Sequence, residues 1–407
     1  MAEGTLQQVV DALAARLGRS VAIDDTRLRL LAASRHFGDE DGVRMASLLS
    51  RELSAANQAH VFACGVAEWT GPGVLEASEA FDSLRRICIP VRHLGILFGY
   101  LWLIDAEATL PASQLDAAQE AATDAAMALY REMLLHERAD SRNSALMRDL
   151  LCSDPVSRAR AGEEILRDHL LVDPRHAVVL VSEVETAGDI SSTEAHQVVR
   201  AAAETAARSL PAGSLLHLVD GRRLVLLSTS PLARADGALA AHARQVSRRT
   251  CDALGPGTRV RVGVGSTKPT LERAWASHQE AHAALRAGRV LDRMGDVVEW
   301  DRLGVFAALL RLPPEDLGPA HYPPALGRLL AADRLGKLVP TLETYLDEAG
   351  DVGRTAARLH LHRTTLYYRL GKIEELAGVD LTSGQDRLTL HLGIKLARLG
   401  GALADAP

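Results

Sequence analysis

Residues 351–375, DVGRTAARLHLHRTTLYYRLGKIEE, hold the densest chemistry in this 407-residue chain. Between Arg354 and Lys372 lie five basic side chains (Arg354, Arg358, Arg363, Arg369 and Lys372) and no acidic one. Phosphate oxygens are contacted mainly by Arg and Lys, helped by the hydroxyls of Ser, Thr and Tyr. Arginine can also grip a guanine edge through two bonds at once. Thr364, Thr365, Tyr367 and Tyr368 supply hydroxyls in the same stretch. The chemistry implied is the binding of double-stranded DNA.

Two short helices must carry these groups. Asp351 can cap a helix running to about Leu359. His360 and Leu361 form a short break, and a second helix runs from about Arg363 to Leu376. Leu366, Leu370 and Ile373 share one face at i, i+4 and i+7. Opposite them lie Thr364, Thr365, Tyr368, Arg369 and Lys372. Ala356 is small where the two helices would cross. This is the arrangement of a helix-turn-helix, whose second helix enters the major groove. His360 stands where glycine is common in such turns, and histidine tolerates a left-handed backbone better than branched residues do.

The stretch AARLHLHRTTLYYRLGKIEELAGVDL, followed by DRLTLHLGIKLARL, closely resembles the C-terminal helix-turn-helix of PucR/CdaR-type bacterial transcriptional regulators. It is also similar to the Fis-type helix-turn-helix. The resemblance covers roughly the last 70 residues. It implies that His362, Arg363, Thr365, Tyr367, Tyr368 and Arg369 face DNA. Arg354, Thr364 and Lys372 join them as DNA-contact candidates on charge and placement.

The middle of the chain resembles the same family more loosely. Val260-Arg-Val-Gly-Val-Gly265, then a helix holding Ala274, Ser277, Glu280, Ala281, Ala284 and Leu285, resembles a GGDEF-like domain. A diguanylate cyclase needs a glycine- and acid-rich turn for metal and nucleotide. The matching hairpin is Val219-Asp-Gly-Arg-Arg-Leu-Val225, with Arg222 and Arg223 where carboxylates are needed. Magnesium requires oxygen ligands, so a degenerate domain without cyclase activity is expected.

The fold class expected is multidomain: an α+β GAF-like sensor, an α/β GGDEF-like domain and an all-α helix-turn-helix domain. Residues 1–110 read as the sensor, with an opening amphipathic helix, a hairpin around Asp24-Asp25 and a second hairpin turning near His93-Leu-Gly95. In order and size this resembles a GAF domain. Residues 111–152 read as a helical linker or dimer helix. Residues 153–312 alternate strand and helix, with helices expected on one face of a sheet. Residues 311–324 hold five prolines and read as a linker. Residues 325–402 read as all helical.

Composition narrows the rest. The formal charge is -6, from 46 basic and 52 acidic residues. Nucleic-acid binding must therefore come from a local basic surface. Cys64, Cys88, Cys152 and Cys251 form no CxxC pair, which argues for free thiols in a reducing compartment. The longest apolar run, Leu94–Ile104, is well short of the roughly 20 residues of a membrane span and reads as a buried strand. No basic, apolar leader opens the chain, so a cytoplasmic location is expected. Gly263-x-Gly265 lacks a third glycine, and no P-loop or GxSxG elbow occurs. No catalytic residue, cofactor or metal site is expected. Trp69, Tyr100 and Trp102 are candidates for an effector pocket between sheet and helices.

The function these observations point to is sequence-specific DNA binding by a homodimer or higher homo-oligomer, controlled by a small molecule or partner. The competing readings are a nucleotide-processing enzyme built on the middle domain and an oligomeric scaffold that does not bind DNA.

Overall fold

The computed structural model describes residues 5–39, 41–186, 197–203, 210–231, 237–254 and 257–403. The chain divides into two compact units, residues 1–141 and 142–407.

The first unit opens with α1 (Leu6–Leu17). Thr5 and Gln8 form its capping box, and Gly18 ends it in the left-handed region at φ +62°. A five-stranded antiparallel sheet follows: β1 (Val21–Asp25), β2 (Leu30–Ala33), β3 (Gly73–Leu75), β4 (Arg86–His93) and β5 (Ile96–Ile104), in the order β2-β1-β5-β4-β3. The Asp25 carboxylate builds the first turn by accepting from the backbone N–H of Arg27 (2.7 Å) and Arg29 (2.9 Å). The second turn falls on Leu94 and Gly95, both at positive φ. Strand alternation sorts the side chains. Ile23, Ile89, Leu101 and Leu103 face α1 and the alanine-rich start of α4 (Ala112–Leu151). Ala22, Cys88, Tyr100 and Trp102 face the other side, in a core shared with α2 (Gly42–Ser50) and α3 (Ala55–Ala63). The long apolar run is thus the central strand β5. Residues 112–151 form one continuous helix.

In the second unit the end of α4 and α5 (Pro155–Arg167) pack on a mixed sheet. Its strands are β6 (Val178–Thr186), β7 (Leu215–Asp220), β8 (Arg223–Ser228), β9 (Thr258–Val264) and β10 (Val297–Glu299), in the order β10-β9-β6-β8-β7. Strand β10, parallel to β9, was not anticipated from the sequence. Helices cover both faces, not one. Val179 and Val181 pack toward α5 and α8 (Ala274–Val290); Val178 and Leu180 pack toward a helical stretch at 197–203 (α6) and α7 (Ala238–Leu254). Four consecutive apolar residues mark a strand buried on both sides. Of the helices expected from 193 and 233, residues 193–196, 204–209 and 233–236 lie outside the described residues.

The glycines of VGVG have a packing role. A Cβ on Gly263 would stand 2.0 Å from the Ala281 carbonyl oxygen, and one on Gly265 2.1 Å from that of Ser277. They let α8 lie directly on β9, where the Ser277 hydroxyl also accepts from the Val179 backbone N–H at 2.9 Å.

The remaining helices are α9 (Val305–Leu309), α10 (Pro324–Ala332), α11 (Leu338–Asp347), α12 (Val352–Arg358), α13 (Arg363–Ala377) and α14 (Gly384–Leu399). The proline-rich stretch is no loose linker. It winds through 3₁₀ turns at Pro314–Leu317 and Pro319–His321 and buries Leu317 and Tyr322. One continuous core runs from Ala284 and Leu291 through these residues to Leu366, Ile373 and Ile394. Proline density signalled a missing helix, but buried apolar residues between the prolines anchor the segment.

Candidate nucleic-acid interface

Asp351 caps α12 by accepting from the Arg354 backbone N–H at 2.8 Å, and that bond holds its carboxyl below the usual range. Thr355, fully buried, turns its hydroxyl back on the Asp351 carbonyl at 2.6 Å. The helix ends in a Schellman motif: His360 N–H bonds the Ala357 carbonyl at 3.2 Å and Leu361 N–H the Ala356 carbonyl at 2.9 Å. His360 adopts φ +53°, the left-handed conformation that the turn requires. Buried Ala356 lies in the core beneath the turn.

The second helix, α13, presents Leu366, Leu370, Ile373 and Ala377 to α10, α11 and α12. Its outer face carries Arg363, Thr364, Thr365, Tyr367 and Tyr368, all exposed. The two tyrosines are 61% and 74% exposed, unusual for rings with no partner role in a core. Among the described residues the Arg363 guanidinium makes no hydrogen bond or ion pair; its charge is felt by Asp351, and it remains accessible to an anion.

Four of the DNA-contact candidates are engaged inside the fold. His362 is the N-cap of α13, its Nδ1 accepting from the Thr364 backbone and lying 2.9 Å from the Thr364 hydroxyl. Arg354 and Arg358 both pair with Glu348, at 3.2 and 2.7 Å. Arg369 is half-buried and donates to the Thr341 hydroxyl on α11 at 3.0 Å. Lys372 pairs with Glu375 at 2.9 Å. Exposed pairs of this kind are weak, so Arg354 and Lys372 can exchange these partners for phosphate. Arg369 instead fixes α13 on α11. Sequence reasoning missed this because Thr341 lies far upstream.

The platform beneath is ionic. Glu343 on α11 is buried against Lys395 (3.1 Å) and against Arg398, whose Nε stands 2.9 Å from both carboxylate oxygens. Lys395 also reaches Asp347 at 2.9 Å, and His391 bonds the same carboxylate at 2.9 Å. Burial alone would raise the Glu343 pKa, but the bonds from Arg398 and the charge of Lys395 outweigh it and hold the group below its ordinary value. Lys395 therefore belongs to the scaffold and adds nothing to a basic DNA surface.

In the first unit a pocket opens on the α2/α3 side of the sheet. Asp24, Arg44, His60, Phe81, Arg86 and Trp102 are among its lining residues. Of the three aromatic candidates only Trp102 lines it. Tyr100 is 1% exposed in the core below, and Trp69 packs over Gly73. Asp24, not foreseen from the sequence, is 5% exposed. An apolar-apolar-apolar-acidic strand signals such a residue only once its face is known.

In the middle sheet the β7–β8 hairpin turns at Gly221, φ +58°, with Asp220 opposite Arg223. Glu183 on the neighbouring strand is taken up by Arg223 (3.4 Å) and Arg289. The turn is thus arginine-rich, and Glu183 beside it is committed to ion pairs. Among the described residues no three His, Cys, Asp or Glu side chains come together as a metal-ligand group, and no helix is long and apolar enough to cross a membrane.

Residues 338–396 match the PucR C-terminal helix-turn-helix domain, and residues 169–287 match the GGDEF-like domain. The DNA-binding transcriptional activator AdeR of Bacillus subtilis is 22% identical, over 97% of this chain and 93% of its own length. The proline-responsive transcriptional activator PutR of the same organism is 19% identical, over 97% of this chain and 96% of its own. The carbohydrate diacid regulator of Escherichia coli is 39% identical over 17% of this chain and 18% of its own length. These relatives are transcription regulators. With the helix-turn-helix, the degenerate GGDEF-like sheet and full-length relatives of one kind, the chain is a DNA-binding transcriptional regulator of the PucR/CdaR type.

Proposed function

We propose that this regulator activates transcription, as its full-length relatives do by description, by placing α13 in the major groove of a specific operator. The observation that carries the reading is the exposed outer face of α13. Arg363, Thr364, Thr365, Tyr367 and Tyr368 stand clear of the core, while Leu366, Leu370 and Ile373 anchor the helix. Arg354, His362, Arg369 and Lys372 contribute at the rim, His362 and Arg369 chiefly by holding the helix. One such helix touches too few phosphates and base edges for genomic specificity. A homodimer or higher homo-oligomer reading half-sites about 34 Å apart meets the need.

The first unit serves as a GAF-like receiver of a small-molecule or partner signal in the cytoplasm. The GGDEF-like sheet serves as a scaffold without catalysis, a role supported by the arginines in its hairpin turn. The test is a mobility-shift titration of the full chain on its own upstream DNA and on unrelated DNA of equal length. Tighter binding to the upstream DNA is expected, and equal binding to both would refute the reading.

A further inference from the structure

The pocket on the α2/α3 side of the first sheet has a definite chemistry. Asp24 Oδ1 is buried with no hydrogen-bond partner, and so is Trp102 Nε1. Both residues line the cavity. The indole lies beside the carboxylate, near enough to favour its charged form, yet without hydrogen-bond geometry. An acceptor and a donor are therefore left open side by side, and buried polar groups are rarely left so without a ligand or water to satisfy them. Two cations, Arg44 and Arg86, also line the cavity; each has a partner of its own, and both charges act on Asp24. Arg86 pairs with Asp41, and Arg44 donates to the Val21 carbonyl at 2.7 Å.

The remaining walls mix apolar Val43, Leu53 and Leu75 with polar Ser47 and Asn57, and the stacked rings of His60 and Phe81 (centroids 4.3 Å apart) add an aromatic edge. The cavity offers about 50 Å³, where one water needs roughly 10–15 Å³. A cavity of this size suits a small molecule rather than a peptide or a nucleotide.

We propose that this pocket binds a small protonated amine that carries a hydrogen-bond acceptor beside the ammonium group, the chemistry shared by small amino acids and amino alcohols. The ammonium donates to Asp24, the acceptor takes the Trp102 N–H, and the carbon body packs on Val43 and Leu75. The inference rests on the reading of the first unit as the receiver of the signal. It adds the class of ligand and the two residues that read it.

The experiment is isothermal titration of the full chain at pH 8 with glycine, L-alanine, L-proline and ethanolamine, with acetate and succinate as controls. At least one amine is expected to bind saturably, and neither acid is. Binding of ethanolamine as well as the amino acids assigns recognition to the ammonium group and a simple acceptor. Binding of the amino acids alone assigns it to a zwitterion. Asp24→Asn keeps the shape of the side chain, and a melting curve confirms that it folds. It is expected to weaken binding about tenfold or more, and Trp102→Phe severalfold. Absence of saturable binding by all four amines at tens of millimolar, equal binding of the acids, or an unchanged affinity in Asp24→Asn overturns the proposal. A parallel shift assay with upstream DNA separates the two readings. Retained DNA binding with no amine binding sinks only the ligand assignment, whereas loss of selective DNA binding in the wild type sinks the regulator reading.

Discussion

Replacing Glu343 by Ala tests whether the recognition helix depends on the buried charges beneath it. Glu343 touches no DNA-facing residue, yet it joins α11 to α14 through Lys395 and Arg398. All three side chains are buried. Removing the carboxylate leaves two buried cations, with Asp347 as the nearest remaining anion for Lys395. Breaking a buried pair in this way costs about 3–5 kcal/mol, mostly the penalty of uncompensated charge. Because Arg369 is fastened to Thr341 on the same α11, the loss reaches α13 directly. Hydrogen exchange resolved over α11–α14 is the fitting assay, since a chain of several cores is not two-state. Protection of α13 amides is expected to fall by roughly 10²–10⁴-fold. The triple variant Glu343→Leu, Lys395→Met, Arg398→Met removes charge and countercharge together and is expected to recover most of it. A fall of less than about tenfold in Glu343→Ala, or no recovery in the triple variant, would refute the reasoning. Acid should act like the mutation. The folded Glu343 pKa lies below its unfolded value, so its contribution is present above the unfolded pKa and is lost as pH falls through the folded one.

Other outcomes follow from the same geometry. Burial raises the Asp24 pKa from 3.8 to about 7. The native state then holds a proton that the unfolded state has released, and stability of the first unit falls as pH rises from about 4 to 7, by up to about 4 kcal/mol. Asp24→Asn should flatten that slope in thermal melts taken across this range, and an unchanged slope would count against the burial. Gly265→Ala drives a Cβ to 2.1 Å from the Ser277 carbonyl oxygen and should destabilise the second unit by about 3 kcal/mol or more, read by its melting temperature. His360→Gly relieves a left-handed residue at φ +53° and should stabilise the helix-turn-helix by about 1 kcal/mol; destabilisation would show that the imidazole itself is needed.

The helix-turn-helix was legible because its signals are local. Leu366, Leu370 and Ile373 repeat at helical spacing, Asp351 caps the first helix, and His360 fills the turn. Which polar residues stay free was less legible, because that depends on distant partners. Arg369 answers to Thr341, and Lys395 to Glu343. The three-residue strand β10 is too short for a period to show. The glycines of VGVG fail the three-glycine nucleotide fingerprint, and only the approach of α8 to β9 reveals their packing role. Asp24 gave no sign either, since a single acidic residue in a strand becomes informative only when the face it shares with Trp102 is covered.

The most direct measurement of the central claim is the salt dependence of full-chain affinity for its own upstream DNA, wild type against Arg363→Ala with Tyr368→Ala. Both residues are exposed and outside the core, so the fold should persist. If α13 reads DNA, affinity falls about tenfold or more, and the slope of log affinity against log salt shrinks by about one unit for the lost arginine–phosphate contact. An unchanged affinity and an unchanged slope would contradict the account.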